Sequence, residues 1–257
     1  MEPKRVAIIG TGPIGVGAAD ALLEGSLPGL ALLGVLTESP TDELLDYRFA
    51  SAAQLADADV IVEAASHGAV HALIEPLLAA GKTVVLVSTG ALADTSLRER
   101  LLAAAAAGGG KIVVPSGAVG ALDLVVAAAG AGLDEVIVEQ RKPPSSLLPA
   151  DEAVDLTAPT VVFDGTVAEV VTRFPKTTNV AASVALAGLG FERTRALVVA
   201  DPALRANQVR LTLRGSFGEA ELTLANVPSA NPKTSAIVAH SVIATLARLG
   251  SPLVIPG

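Results

Sequence analysis

A glycine-rich turn at residues 10–15, with the sequence GTGPIG, constrains the fold more than any other feature of the chain. It follows a short β-branched run at residues 5–9 and leads into an apolar stretch that ends at Gly25. A strand that turns directly into a helix lets a diphosphate approach the backbone, because the free N–H groups of the helix start attract negative charge. The turn therefore predicts a dinucleotide site. Its predicted cofactor-binding residues are Gly10, Gly12, Pro13, Ile14 and Gly15.

Strand-like and helix-like segments alternate through the first half of the chain, with glycine-marked links between them. This alternation predicts an α/β fold with a Rossmann-type doubly wound parallel sheet. Residues 209–213 and 219–224 instead alternate apolar and polar side chains, so the second half is predicted to be α+β with a mixed sheet. The predicted domains are a dinucleotide-binding domain at 1–120, an α+β substrate and dimerisation domain at 121–232, and a C-terminal helix at 233–257 that packs back on the first domain.

Composition excludes several classes of function. The 257 residues carry 18 Lys and Arg against 26 Asp and Glu, and the formal charge of −8 disfavours a nucleic-acid partner. Aromatic residues make up only 2%, which argues against base stacking. The chain has no Cys, so disulfides, cysteine-ligated metals and thiol catalysis are excluded. Its three His residues are scattered along the sequence, and no metal site is predicted.

No membrane segment is expected. The apolar run from Ile112 to Leu133 has about the length of a membrane span, but Pro115 and Asp123 interrupt it, which favours buried strand and helix. The N-terminus is a poor secretory signal, because Glu2 and the glycine turn break its apolar character. A cytoplasmic protein is therefore expected.

The end of the second predicted strand supplies a candidate for nucleotide selection. Thr37 and Glu38 follow the apolar run at residues 30–36. An acidic residue at this point of such a sheet holds the ribose hydroxyls of NAD and repels the 2′-phosphate of NADP. The next arginine, Arg48, lies too far along the chain to be an obvious phosphate ligand. The cofactor is therefore predicted to be NAD or NADP, with NAD slightly favoured.

Three short polar turns follow the later strands of the predicted sheet. Ligands of open α/β sheets bind outside the carboxyl ends of the strands, so these turns are expected to leave room for the nicotinamide end of the cofactor. Before the last predicted helix, Lys233 and free N–H groups would bind a carboxylate, with Thr234 or Ser235 as the helix cap. The residues singled out in the turns are Ala65, Ser66, Ser88 and Thr89 for the cofactor, Ser116 for the substrate and His67 for catalysis.

Further motifs cover nearly the whole chain in a fixed order. They are EAASHGAV at 63–70, STGALAD at 88–94, PSGAVGALD at 115–123, QRKPP at 140–144, FDGTVAEVV at 163–171, FPKTTNVAA at 174–182, ADP at 200–202, GSFG at 215–218 and NPKTS at 231–235. In this combination the chain resembles the L-aspartate dehydrogenase family, whose members have a Rossmann domain followed by an α+β domain.

The resemblance implies an enzyme that oxidises L-aspartate with NAD or NADP to iminosuccinate, which breaks down to oxaloacetate and ammonia. The reverse reaction is a reductive amination. The resemblance also implies a homodimer. Carried over by position, contacts near the nicotinamide fall on Ala118 and Asn179, and the substrate end involves the loop that contains Thr177 together with Lys233.

One departure from the family pattern affects the expected chemistry. After the ADP motif the family has Asn, any residue and then His, and that His is its proposed catalytic acid and base. Here the three residues are Asn207, Gln208 and Val209, and Val209 takes the place of the His on the substrate side. Valine cannot transfer a proton, and the loss of a positioned base lowers rates by about 10²–10⁴. Thr177, where the family tends to have Asn, is a second departure.

Three explanations for Val209 stay open. Another group takes the place of the His, with Lys233 and His67 as the predicted catalytic residues; His240 is a third candidate but is expected to pack in a core or an interface. His67 is equally suited to positioning the cofactor. Alternatively, the substrate is a preformed imine or a less acidic amine, or the protein binds a dinucleotide without catalysis.

We predict an NAD(P)-dependent oxidoreductase acting on a C–N bond, with altered or reduced aspartate activity; hydride transfer to another carbonyl is a further alternative.

Overall fold

The chain divides into two compact units, each built around one five-stranded sheet. The first unit comprises Met1–Gly117 with Ala239–Pro256, and the second comprises Ala118–Val238. The computed structural model describes residues 2–147, 156–175, 178–229 and 235–255.

The first sheet is parallel throughout, with the strand order β2-β1-β3-β4-β5. Val6, Ala7 and Ile8 of β1, which pairs with a neighbour on each side, are all fully buried, as expected for a strand covered on both faces. The predicted Rossmann-type sheet is therefore confirmed. The strands are β1 (Lys4–Ile9), β2 (Leu30–Leu36), β3 (Val60–Glu63), β4 (Thr83–Leu86) and β5 (Lys111–Val113).

Short caps and turns set where the helices of the first unit begin. The Ser66 side chain accepts a hydrogen bond from the Ala69 N–H at the start of one helix, and the Asp94 carboxylate accepts one from the Leu97 N–H at the start of another. The α-helices are α1 (Pro13–Leu23), α2 (His67–Ala79) and α3 (Thr95–Gly108), and 3-10 helices lie at Asp42–Tyr47, Ala52–Asp57 and Thr89–Ala93.

The second sheet is mixed, as predicted, with the strand order β10-β9-β6-β8-β7. Its central strand β6 runs parallel to β8 and antiparallel to β9. The strands are β6 (Leu133–Lys142), β7 (Thr160–Thr166), β8 (Arg195–Ala200), β9 (Asn207–Gly215) and β10 (Gly218–Asn226). The helices of this unit are α4 (Leu122–Gly132), α5 (Val167–Arg173) and α6 (Asn179–Ala187), and a 3-10 helix lies at Pro144–Ser146.

The last helix, α7 (Ile237–Gly250), contributes to the core of the first unit. Val242 and Leu246 are fully buried in the cluster that contains Val6 and Ile8. The helix begins later than the motif predicted, because Ser235 forms an isolated β-bridge with Pro228 instead. The other expected cap, Thr234, lies outside the described residues. Among the described helices, none has the length and hydropathy of a membrane span.

Candidate cofactor and catalytic site

Two glycines of the first turn are required by close packing. Gly10 has a positive φ of 91°, and a Cβ there would lie 2.8 Å from the Ala65 Cβ. A Cβ on Gly15 would overlap the carbonyl oxygen of Gly10, so α1 lies directly against the end of β1 only because Gly15 lacks a side chain. Gly10 therefore lets the turn lie against the end of β3, and Gly15 lets α1 lie against the end of β1.

Gly12 differs from Gly10 and Gly15: among the described residues, apart from its chain neighbours and its own helix, no atom lies within 4 Å of the position that a Cβ would take. It is the N-cap of α1, and the helix start receives no hydrogen bond from a capping side chain. The first-turn N–H groups therefore point toward open space, where an anionic group can approach the backbone.

The open space belongs to a cavity of about 800 Å³. Its walls come from the glycine turn, the end of β2 and the end of β3, all at the carboxyl edge of the sheet. This size and position suit the adenosine and diphosphate portion of a dinucleotide, so the residues present fit NAD or NADP. The lining residues are Ile9, Gly10, Thr11, Gly12, Leu36, Thr37, Glu38, Ser39, Arg48, Phe49, Ala50, Ala64, Ala65, Ser66 and Ala69.

Glu63, at the end of β3, is a fully buried carboxylate that joins two of the edge turns. Its Oε1 accepts hydrogen bonds from the N–H groups of Ala65 and Ser66 at 2.9 Å and from the Ser88 hydroxyl at 3.1 Å. Its Oε2 accepts one from the Ser88 N–H at 3.0 Å. Burial raises the pKa of Glu63 above its ordinary value, although these hydrogen bonds oppose the shift. We did not single out this residue from the sequence; the signal is an acidic residue that closes the apolar run VIVE.

The predicted residues of the β3 and β4 turns occupy different environments. Ala65 and Ser66 line the cavity. Ser88 and Thr89 are buried. The N–H and hydroxyl of Ser88 donate to Glu63, so Ser88 stabilises the edge of the sheet. His67 is half-buried and begins α2, directly after Ser66. Ser116 is half-buried in the turn after β5.

The β2 side of the cavity carries both signs of charge. Glu38 is exposed and lines the cavity, as an acidic ribose ligand would. The expectation that Arg48 lies too far away is wrong, because Arg48 lines the same cavity and its Nε donates a hydrogen bond to the Thr37 carbonyl at 3.2 Å. The 3-10 helix Asp42–Tyr47, which we did not predict, returns the chain alongside β2.

Several residues predicted near the substrate or the nicotinamide lie in the second unit. Val209 is 3% exposed on β9, between Gln140 of β6 and Leu224 of β10. Ala118 is buried, and its carbonyl accepts a hydrogen bond from the Asn226 side chain at 3.0 Å. Two other predicted residues, Thr177 and Lys233, lie outside the described residues, and Asn179 begins α6.

Lys142 is a cation that we missed in the sequence. Gln140 pairs with Val209, and Lys142 lies two residues further along β6, so both face the side of the sheet that carries Val209. Lys142 is 5% exposed, and burial lowers its pKa to about 8. The signal was the continuation of the alternating strand by two residues, which places Val138, Gln140 and Lys142 on one face.

His240 is expected to pack in a core or an interface. It is exposed on α7, whose buried residues are Ser241, Val242, Thr245 and Leu246, so the core alternative is wrong and the interface alternative stays a prediction. Among the described residues, no group of His, Asp and Glu is arranged to hold a metal ion.

Two family models match consecutive parts of the chain. Residues 10–115 match the NAD-binding domain of homoserine dehydrogenase, and residues 123–249 match the C-terminal domain of aspartate dehydrogenase. The two matches meet near the boundary between the two structural units.

Similar proteins extend over almost the full length of the chain. L-aspartate dehydrogenase 2 of Bordetella pertussis is 42% identical, covering 95% of this chain and 96% of its own. L-aspartate dehydrogenase of Methanosarcina barkeri is 37% identical, covering 97% and 98%. The crystal structure of aspartate dehydrogenase from Thermotoga maritima has a TM-score of 0.81 at 28% identity, covering 98% of this chain and 99% of that one.

Proposed function

The chain belongs to the L-aspartate dehydrogenase family and is an NAD(P)-dependent amino acid dehydrogenase, and on that premise we propose that it transfers hydride at a C–N bond with altered or reduced activity toward aspartate. The single observation that carries this proposal is Val209, buried on β9 at the position where the family pattern has His.

The cofactor side supports retained binding. The N–H groups that follow Gly12 and the cavity beside Glu38 and Arg48 suit the diphosphate and the adenosine ribose. When bound, NAD or NADP supplies the acceptor or donor of the hydride. The chain's own residues must then orient the amine carbon and move one proton to or from the nitrogen.

The substrate side supports altered chemistry. The Val209 side chain is apolar and can neither donate nor accept a proton, whatever the pH. We propose that Lys233 or His67 supplies the proton in its place, with Ser116, Thr177 and Lys233 at the substrate. His67 begins α2 directly after the lining residue Ser66, and it also suits cofactor positioning. We further propose a homodimer, which light scattering in solution tests.

A dinucleotide-binding protein without catalysis is the second candidate, and Val209 favours it as well. The two functions separate in one assay, in which NADH or NADPH absorbance is followed with oxaloacetate plus ammonia and then with a panel of keto acids, amines and imines. Turnover with the panel that exceeds turnover with oxaloacetate plus ammonia supports altered specificity. Cofactor binding without turnover on any pair supports the silent protein.

Val209→His tests the assigned position directly. We expect it to raise reductive amination of oxaloacetate by about tenfold or more, since a positioned acid–base group contributes about 10²–10⁴ in rate. Val209→Gln is the matched control, because it adds polarity without a group that titrates near neutral pH. Equal activity of the wild type and both variants would show that position 209 does not hold the catalytic group.

A further inference from the structure

The face of the second sheet that carries Val209 is apolar along most of its length. Val138 of β6 and Leu211 of β9 pair with each other on this face, and both are almost fully buried. Leu213 continues the same buried pattern on β9. A face of this kind packs as a hydrophobic core, and a core gains no stability from polar side chains buried in it. Polar residues on this face therefore indicate a role other than packing.

Three buried polar residues, which we call the polar row, lie at one end of this face. β6 ends at Lys142, β9 begins at Asn207 and β10 ends at Asn226, and all three residues are buried. Asn226 pairs directly with Asn207. On the other side of Asn207, the antiparallel register of β6 with β9 brings Lys142 next to it. Because residues that pair across strands lie on the same side of a sheet, the three polar side chains lie side by side.

Asn226 connects the polar row to the segment that begins the second unit. Its side-chain amide donates to the Ala118 carbonyl at 3.0 Å. Ala118 is predicted to contact the cofactor near the nicotinamide. A few residues later, Ala121 has a positive φ of 51°, which no other non-glycine residue adopts in the described part of the chain. Such a conformation costs free energy and is typical of segments that the surrounding structure holds for a function. The polar row therefore contacts a segment with a predicted role in the reaction.

Lys142 supplies positive charge to the polar row. Among the described residues, it is the only Lys or Arg that is buried. β8 places the small residue Ala200 opposite Lys142, on the side away from β9. Burial disfavours the charged form of an amine, and it lowers the pKa of Lys142 to about 8. A carboxylate that contacts the ammonium would stabilise the charged form, because an ion pair is strong where water is excluded. The position of Lys142 thus favours an anionic ligand.

We propose that Lys142 binds a carboxylate of the substrate, with the Asn207 amide beside it as a further donor, and thereby selects amino acids and keto acids over amines that lack a carboxylate. An ammonium and an amide N–H are both donors that a carboxylate accepts. Val209 lies one residue pair away, opposite Gln140, so the carboxylate is held next to the position on which the proposed function rests. The inference depends on that function, and it adds the residue that determines the substrate class.

Calorimetric titration of the full-length protein saturated with NADH tests this assignment, with propionate, malonate, succinate and glutarate as carboxylates that cannot react. Lys142→Met should weaken binding of the best-bound acid by about tenfold or more, because a charge-assisted hydrogen bond is lost. The affinity of the variant for NADH should differ from that of the wild type by less than about threefold. Lys111→Met is the matched control, since Lys111 is an exposed lysine at the start of β5 in the first unit.

The uncharged amides of the same acids separate recognition of charge from a structural role. The wild type should bind the best acid more tightly than its amide, and Lys142→Met should remove that difference. Urea unfolding at pH 7 checks that the variant folds, as expected when an apolar side chain of similar length replaces a buried charge.

Equal losses of acid, amide and NADH affinity in Lys142→Met would overturn the assignment and make Lys142 a structural residue. Unchanged affinity for the acid would also overturn it, as would a wild type that binds NADH but none of the four acids, and both results would leave the proposed function standing. A wild type that binds neither NADH nor NADPH would overturn the proposed function, and this assignment with it.

Discussion

The candidate cofactor edge of the first sheet and the Val209 face of the second sheet are stabilised by different kinds of groups. In the first unit, the edge is built from backbone groups and from one buried acceptor, Glu63, whose four donors come from residues 65–88. In the second unit, the strand that carries Val209 pairs with β6, which lies far earlier in the sequence, and the same face contains the buried cation Lys142. The first arrangement depends on local geometry, and the second depends on individual side chains.

This difference explains why the two halves of the function respond differently to sequence change. Binding of a diphosphate needs a turn without side chains, and many neighbouring substitutions leave such a turn intact. Proton transfer needs one titratable group at one place, so a single replacement, as we propose for Val209, removes it. A chain can therefore keep the cofactor site of its family while its substrate chemistry diverges.

The largest expected effect concerns Lys142 in the second unit. Its pKa is lowered to about 8 by burial, so between pH 8 and its ordinary value of 10.5 the unfolded chain binds a proton that the folded chain has released. Wild-type stability should therefore rise with pH through this interval. Lys142→Met removes the titration. The free energy of unfolding of Lys142→Met, relative to that of the wild type, should therefore fall by about 3 kcal/mol between pH 7 and pH 10.5, because each unit of pKa shift corresponds to about 1.4 kcal/mol.

Urea unfolding of both proteins at several pH values measures this difference. Lys111→Met is the matched control, because Lys111 is exposed at the start of β5. A stability difference that stays constant over the whole pH range would mean that burial does not lower the pKa of Lys142, and it would contradict the contrast drawn between the two units.

The next largest effect is expected in the glycine turn, where a substitution at Gly12 should change cofactor affinity but not stability. Gly12→Ala should leave the free energy of unfolding within about 0.5 kcal/mol of the wild type, because the added Cβ has open space around it within the described part of the chain. The same methyl should weaken NADH binding by about tenfold to a hundredfold, since it occupies space needed by the diphosphate and overpacking costs about 1–3 kcal/mol.

Gly15→Ala is the paired variant, with the opposite pattern. Its Cβ would overlap the Gly10 carbonyl oxygen, so the free energy of unfolding should fall by about 1–3 kcal/mol. Thermal unfolding and NADH titration of both variants distinguish the roles. Similar destabilisation by Gly12→Ala and Gly15→Ala would contradict the separate roles assigned to them.

A smaller effect is expected at Glu63. Glu63→Gln keeps the shape of the side chain but replaces one acceptor oxygen with a donor, which leaves a buried donor unsatisfied at a cost of about 1–2 kcal/mol. Cofactor affinity should fall together with stability, because the turns at Ala65 and Ser88 lose their common acceptor. Glu75→Gln, on the exposed face of α2, is the control. Unchanged stability of Glu63→Gln would show that the carboxylate does not hold the edge together.

The class of fold was predictable because its signals are local. Strands such as Val60–Glu63 are continuous apolar runs, and the glycine turn marks one strand-to-helix junction by its residue types alone. The 3-10 helix Asp42–Tyr47 was missed. It leads the chain back to β2, where the Phe49 ring packs in the space beside Gly34. Such a contact is a tertiary effect that no periodicity reveals.

The site was predictable in part for the same reason. Gly10, Gly12 and Glu38 are recognisable by their offset from a strand, and the structure brings them to one cavity. Arg48 was set aside as too far along the chain, and Lys142 was not singled out, because the placement of both depends on strand pairing, which the sequence pattern does not reveal. The core alternative for His240 was wrong, since a helix's exposed face depends on what packs against it.

A crystal structure of the full chain grown with NADPH tests the central claim most directly. We expect the diphosphate to lie against the N–H groups after Gly12, in the space that a Cβ at that position would occupy. A diphosphate bound elsewhere, with the turn at residues 10–15 making no contact to it, would contradict the assignment on which the proposed function depends.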